Sequence, residues 1–321
     1  MPARDFPRCA SHQRGSPSPD RASGLSRLVA ILGPTAAGKS EVAVRLAEEL
    51  GAPILSVDSM QVYRGMDIGT AKPSRSDRQR VRHYMIDVVE PEHPYSAAEF
   101  QREARTLMMS DRHPLLLIVG GSGLHFRSVV DPLNFPPHDR QVRADMEAVA
   151  DPVDALLEVD PRAGEFVDLF NPRRVVRALE VWRLTGLTPS ARSMAEEAMA
   201  VQEYEPLYEF TAVGLDPGPA IEARISSRIE TMREAGLLDE VARLQGRLGP
   251  SAAAAVGYRQ LMPVVEGRLD EEAAWSQVHA ETVSLAKRQR TFFRRDPRIR
   301  WVAWHDAIDD RLKTVRAALE L

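Results

Sequence analysis

A single cysteine, Cys9, stands in a chain of 321 residues. One thiol excludes an intramolecular disulfide and any cysteine-built zinc site, and it suits a reducing compartment. Nor does any apolar run approach the roughly 20 residues a bilayer-spanning helix needs, and residues 1–26 lack the apolar stretch of a secretory leader. Cytoplasmic residence with no membrane partner is the expectation. Residues 1–26 carry Arg4, Arg8, Arg14 and Arg21 among Pro and Ser and read as a disordered tail, although those arginines leave an organelle transit peptide open. An excess of positive charge is also missing: 42 Lys and Arg face 46 Asp and Glu, a net charge of -4, so any contact with nucleic acid must come from a local basic patch. A hydrophobic share of 44% supplies ample material for a core, and the length exceeds one ordinary domain. One large core with an inserted or appended unit follows.

What the chain does have is Gly33-Pro34-Thr35-Ala36-Ala37-Gly38-Lys39-Ser40, set between the apolar run 28–32 and the helix-patterned 41–50. This full G-x-x-x-x-G-K-S match, with a strand before it and a helix after it, is what a phosphate-cradling loop requires. The glycines let successive backbone N–H groups curl toward phosphate oxygens, and the helix beginning near Lys39 adds its positive end. Lys39 offers a point charge to a terminal phosphate, and Ser40 a hydroxyl ligand for Mg2+. A Gly-containing turn that binds nothing is the plain alternative.

Farther along, 52–57 reads as a short buried strand ending at Asp58. Ligands of open parallel α/β sheets gather at the carboxyl ends of strands, so Asp58 is expected to face the same site as the phosphate loop; a helix N-cap or a partner to bound Mg2+ remains an equal reading. Residues 59–73 are too polar and Gly-broken for a core element and read as a long active-site loop. A strand is expected over 83–89, and an amphipathic helix over 95–110 opened by the Ser96/Glu99 capping box. The most apolar strand, 115–119, runs into Gly120-Gly121-Ser122-Gly123. A common nucleoside triphosphatase would end that strand in a Mg2+-holding Asp. Glycines there argue against ordinary ATP hydrolysis and for close backbone approach to a second substrate.

From 131 to 204 strand signals vanish and helices are expected over 139–150, 152–158 and 172–185, a helical insertion. Arg173, Arg174 and Arg177 lie on the first turns of the last, where they meet phosphates or simply face solvent. A strand returns over 209–215, then a long helix over 220–244 with Arg224 and Arg228 on one face. Residues 252–260 form a small-residue stretch leading into Gly257-Tyr258-Arg259. Residues 287–295 set five cationic side chains around Phe292 and Phe293, a composition RNA binding uses and one that a helix burying its aromatics also produces. A final strand over 300–304 and a terminal helix complete the pattern.

Several segments together are similar to those of the bacterial tRNA dimethylallyltransferases, isopentenyltransferases that modify the adenosine immediately 3′ of the anticodon: GPTAAGKS, SVDSMQVYRGMDIGTAKP, YSAAEF, LLLIVGGSGLH, NPRRVVRALEVWRLTG, RISSRIETMREAGLLDEVARL, AVGYRQL and LAKRQRTFFRR. They cover nearly the whole of 28–295, and the 58–73 stretch is far more specific than the phosphate loop alone. The resemblance implies an α/β fold, a P-loop NTPase-like parallel sheet core flanked by helices (27–131 and 205–321), with an all-helical insertion domain (132–204) contacting tRNA. It also implies that dimethylallyl diphosphate binds with Mg2+ on residues 33–40 (Gly33, Pro34, Thr35, Ala36, Ala37, Gly38, Lys39, Ser40), and that a flipped-out adenine attacks through its exocyclic N6.

Asp58 matches the family's general base, Arg228 the arginine that contacts the diphosphate, and Ser122 the hydroxyl, usually Thr, that helps hold the amine. The anticodon stem-loop contacts carry over to Asp58, Ser59, Met60 and Gln61, to Arg143, Arg173, Arg174 and Arg177, to Gly257, Tyr258 and Arg259, and to Lys287, Arg288, Gln289, Arg290 and Arg294. His125 stands where the family commonly has Tyr, and Ala254 where many members have a cation. A monomer is expected. The competing readings at this point are a P-loop kinase using ATP, prenylation of a free adenine nucleotide, and a non-catalytic RNA-binding module.

Overall fold

A computed structural model describes residues 27–110 and 113–321; the expected tail and Cys9 lie outside the described residues. In chain order the elements are β1 (Arg27–Leu32), α1 (Lys39–Leu50), β2 (Ile54–Ser56), α2 (Arg75–Arg80), β3 (His83–Tyr84), α3 (Ala97–Ser110), β4 (Leu115–Gly120) and α4 (Gly123–Val130). Five helices follow: α5 (Arg140–Glu147), α6 (Pro152–Val159), α7 (Pro172–Thr185), α8 (Pro189–Ser193) and α9 (Glu196–Gln202). The chain then returns through β5 (Phe210–Gly214), α10 (Ile221–Glu234), α11 (Leu237–Arg243), α12 (Pro250–Ala253), α13 (Tyr258–Val265), α14 (Glu271–Arg294), β6 (Ile299–Trp301) and α15 (Ile308–Leu319).

The six strands form one parallel sheet in the order β3-β2-β4-β1-β5-β6. β1 is central because it is apolar on both faces. Its alternate residues feed two cores: Leu28, Ala30 and Leu32 pack on one side with Phe126, Ile225 and Phe293, while Val29 and Ile31 pack on the other with α1 and α15. The register pairs Leu32 with Gly120 on one side and Gly214 on the other, so the carboxyl ends of β4, β1 and β5 align on one edge. Between 131 and 209 the described chain is helical and irregular only, with its own small core of Leu156, Ala163, Val175, Ala178 and Leu179.

Three expectations are corrected. The strand at 83–89 stops at Tyr84, because Met85 and Asp87 adopt positive φ; Val88 and Val89 instead donate their backbone N–H to the Val62 carbonyl. The helix over 220–244 is two helices, since Gly236, at φ 86°, turns the chain between α10 and α11. The loop at 59–73, read as too polar for a core element, nevertheless sends Val62, Tyr63 and Met66 fully into the larger core. The Ser96/Glu99 capping box is present as read, each side chain bonding the other's backbone N–H.

Candidate active site

The phosphate loop leaves β1 at the aligned strand ends. Gly38, at φ 80°, makes the turn into α1 in the left-handed conformation that favours glycine, with the Arg311 guanidinium packed against the space a Cβ would take. Behind the loop the Trp304 indole N–H donates to the Ala37 carbonyl at 3.0 Å, with the Arg224 and Arg311 guanidiniums stacked on its ring. Arg224 Nε also donates to the Ala36 carbonyl, and Gln289 Oε1 accepts the Thr35 N–H. The loop is therefore clamped by α10, α14 and the chain after β6 before any anion binds.

Lys39 is buried and donates to the Pro34 carbonyl at 2.6 Å. Burial pushes its pKa down to about 7, the Arg228 charge adds to that, and Asp58 opposes it. Burial likewise lowers the Arg228 pKa, again against Asp58. Lysine, arginine and aspartate thus share one electrostatic neighbourhood. Asp58 Oδ1 accepts the backbone N–H groups of Met60 (2.8 Å) and Gln61 (3.3 Å), which fixes the carboxylate and leaves Oδ2 for another partner. Across from it, the Ser122 N–H donates to the Val57 carbonyl and its hydroxyl lies 2.8 Å from His125 Nδ1.

These groups wall a single cavity of about 820 Å³, lined by Thr35, Ala36 and Gly38 to Ser40 of the loop, by Asp58 to Gln61, Gly121, Ser122, Arg224 and Arg228, and by Arg288, Gln289 and Phe292 of α14. The structure thus brings together Asp58, Ser122, Arg228, Lys39 and Ser40, as the sequence leads one to expect. Gly33, Pro34 and Ala37 shape the loop from beneath, buried and away from the cavity. Gly120, Gly121 and Gly123, at the end of β4, also line the cavity with their backbone, and they meet protein as well: a Cβ on Gly120 would strike the Val57 carbonyl and one on Gly123 the Phe292 ring.

The remaining expected RNA contacts divide. Arg173, Arg174, Arg259, Lys287 and Arg288 are exposed, with Arg259 paired to Glu281 and Arg174 to Asp168 across the surface. Arg177 bonds the Pro136 and Pro137 carbonyls and Glu180, and Arg143 bonds Glu147, so both guanidiniums are committed within the helical unit. Tyr258 is fully buried with its hydroxyl on Glu240, and Gly257 is buried beside it. Arg290 and Arg294 both pair with Asp216, and Arg294 also stacks on Trp301. The Gln61 amide bonds Ser56, Thr70 and Ala71, tying the loop to itself.

Residues that sequence reasoning missed are Glu240, Trp304, Arg311 and Phe170. Glu240, 2% exposed, accepts the N–H groups of Asp67, Ile68 and Gly69, and its acidic place in a helix carries no signal of that role. Phe170, three residues before Arg173 in the chain, is 99% exposed. Among the described residues no cluster of three His, Cys, Asp or Glu forms a metal cage, and no helix is long and apolar enough to cross a membrane.

A family model described as IPP transferase matches residues 61–296. A tRNA dimethylallyltransferase of Parafrankia sp. is 41% identical, over 89% of this chain and 91% of its own. One of Acidothermus cellulolyticus is 40% identical, over 94% of this chain and 96% of its own. The crystal structure of the tRNA isopentenylpyrophosphate transferase of Bacillus halodurans superposes with a TM-score of 0.64 at 32% identity, covering 92% of this chain and 97% of that one.

Proposed function

Because the chain belongs to the IPP transferase family, we propose that it transfers a dimethylallyl group from dimethylallyl diphosphate to the exocyclic N6 of the adenosine immediately 3′ of the anticodon in tRNA, releasing diphosphate. The observation that carries this reading is one cavity walled on one side by the phosphate loop with Lys39 and Arg228, and on the other by the half-free carboxylate of Asp58. Those two walls suit a diphosphate on one side and a base with an amine to deprotonate on the other.

In this mechanism the donor's diphosphate lies against the N–H groups of the loop, and Lys39 exchanges its Pro34 carbonyl for a phosphate oxygen. As the allylic C–O bond breaks and the N6–C bond forms, negative charge grows on the departing diphosphate. Lys39, Arg228 and the start of α1 stabilise that charge because they are already aimed at it. The proton lost from N6 passes to Asp58 Oδ2, within hydrogen-bond reach of the amine, while Ser122 holds the second N–H.

Mg2+ fits the donor set. Magnesium takes one or two protein oxygens and completes its shell with substrate phosphates and water, and the exposed Ser40 hydroxyl at the start of α1 would serve as such a ligand, where no caged site is needed. When bound there it neutralises diphosphate charge. Residues 132–204 are proposed as the tRNA-embracing helical domain, acting with Arg173, Arg174, Arg259, Lys287 and Arg288 on the RNA backbone; the enzyme is taken as a cytoplasmic monomer.

The test is incubation of the protein with an anticodon stem-loop RNA, labelled dimethylallyl diphosphate and Mg2+, with ATP as the alternative donor. The expected product is a hairpin heavier by one dimethylallyl group. An unmodified hairpin together with ATP-dependent phosphorylation of an acceptor overturns the reading.

A further inference from the structure

The hydroxyl that meets the substrate amine has a partner of its own. Ser122 Oγ lies 2.8 Å from Nδ1 of His125, one helical turn on in α4. The imidazole is held from behind: it is 9% exposed and stands edge-on to Phe100, with ring centroids 4.6 Å apart and planes at 81°. Burial and the Phe100 contact hold it against the hydroxyl, so its tautomer decides which way the Ser122 proton points. Burial lowers the His125 pKa, with Asp58 acting against it, so the ring is neutral near pH 7 and one nitrogen alone carries hydrogen.

The two possible senses of this bond have opposite consequences. If Nδ1 accepts, the Ser122 proton is spent on His125 and only lone pairs face the cavity; if Nδ1 donates, Ser122 presents a proton instead. An adenine amine brings two N–H donors, one for Asp58 and one for Ser122, and a donor set against a donor is repulsive. Resting on the proposed reaction, we propose that His125 is a positioning residue for base selection. Its Nδ1 takes the Ser122 proton, so that Ser122 meets the target base as an acceptor only, matched to an exocyclic N–H and mismatched to a carbonyl oxygen.

The experiment compares anticodon hairpins carrying adenine or hypoxanthine at the target position, the second as a competitor of the first, with affinity for inorganic diphosphate as the control for an intact site. His125→Phe frees the Ser122 hydroxyl to rotate and donate, and should cut the preference for adenine by roughly ten- to a hundredfold, the range for one mismatched buried hydrogen bond. His125→Asn, whose amide oxygen can stand in for Nδ1, should keep most of the preference. Ser122→Ala should lose it as His125→Phe does, and the double variant should lose no more than either single one, since His125 acts through Ser122. A preference unmoved in His125→Phe, or losses that add in the double variant, overturns this proposal alone. Wild-type protein that transfers nothing to the adenine hairpin overturns the reaction and the proposal together.

Discussion

Gln289 on α14 accepts the backbone N–H of Thr35 at 2.8 Å, so the helix that carries the basic residues is hydrogen-bonded directly to the phosphate loop. Gln289→Ala leaves that N–H without its partner and loosens the loop. The KM for dimethylallyl diphosphate should rise by about 3- to 10-fold, the worth of one such bond, while hairpin affinity stays within about twofold. Steady-state kinetics with each substrate varied in turn checks this; equal losses for both substrates count against it.

In the proposed reaction Asp58 has two tasks, and they are separable. Oδ1 caps the turn through Met60 and Gln61, and Oδ2 is left for the base. Asp58→Asn preserves the cap and removes the proton acceptor. Turnover should fall by about 100-fold or more, as for loss of a general base, with melting temperature and hairpin affinity little changed. Single-turnover assays and a thermal melt decide.

The cations of α14 should not behave alike. Lys287 and Arg288 are exposed, and neutralising either should reduce the salt slope of hairpin binding by roughly 0.7 to 0.9 per phosphate contact. Arg290 instead satisfies Asp216, whose side chain is only 5% exposed. Arg290→Ala should cost about 1–3 kcal/mol of stability by stripping a buried carboxylate of a partner, and leave the slope where it was. Filter binding across a salt series together with urea melts separates the two classes.

Glu240 is the anchor of the 58–73 loop, accepting three backbone N–H groups and the Tyr258 hydroxyl. Glu240→Ala leaves the buried Tyr258 hydroxyl and three part-buried backbone N–H groups without their partner. A loss of roughly 3 kcal/mol or more is expected, since each unsatisfied buried group costs about 1–3 kcal/mol before relaxation. Tyr258→Phe removes one donor and should cost less. Chemical denaturation of both variants ranks them, and the reverse order would remove Glu240 from this role.

Acid should expose the buried imidazole. Burial holds the folded-state pKa of His125 below the ordinary histidine value, so the unfolded chain binds that proton first. Stability from this group is present above about pH 6.5, the unperturbed value, and declines as pH falls through that point toward the lower folded-state value. The melting temperature of His125→Phe should therefore depend less on pH between about 7.5 and 5 than that of wild type. Parallel curves would show that His125 contributes nothing to the acid limb.

Much of this was legible in the chain itself, because its signals are local. The loop between β1 and α1, the central apolar strands and the Ser96/Glu99 capping box depend on spacing over fewer than about ten residues, and each stands in the structure close to where it was read, whereas the last strand is Ile299–Trp301 rather than 300–304. The ends of the strand at 83–84 and the break at Gly236 were not legible. Positive φ at Met85 and Asp87 is imposed by contacts with the 58–73 loop, and a helix-rich composition continues straight through Gly236.

The sequence alone determined that a glycine-rich turn of the phosphate-loop pattern joins a strand to a helix, that a carboxylate follows the next strand, and which family's motifs the chain shares, since all of these are properties of short contiguous runs. Only tertiary structure decided which cations remain available. Whether an arginine reaches RNA or a buried aspartate depends on what lies across from it. Asp216 stands 74 residues before Arg290, and nothing in the neighbourhood of either announces the pair.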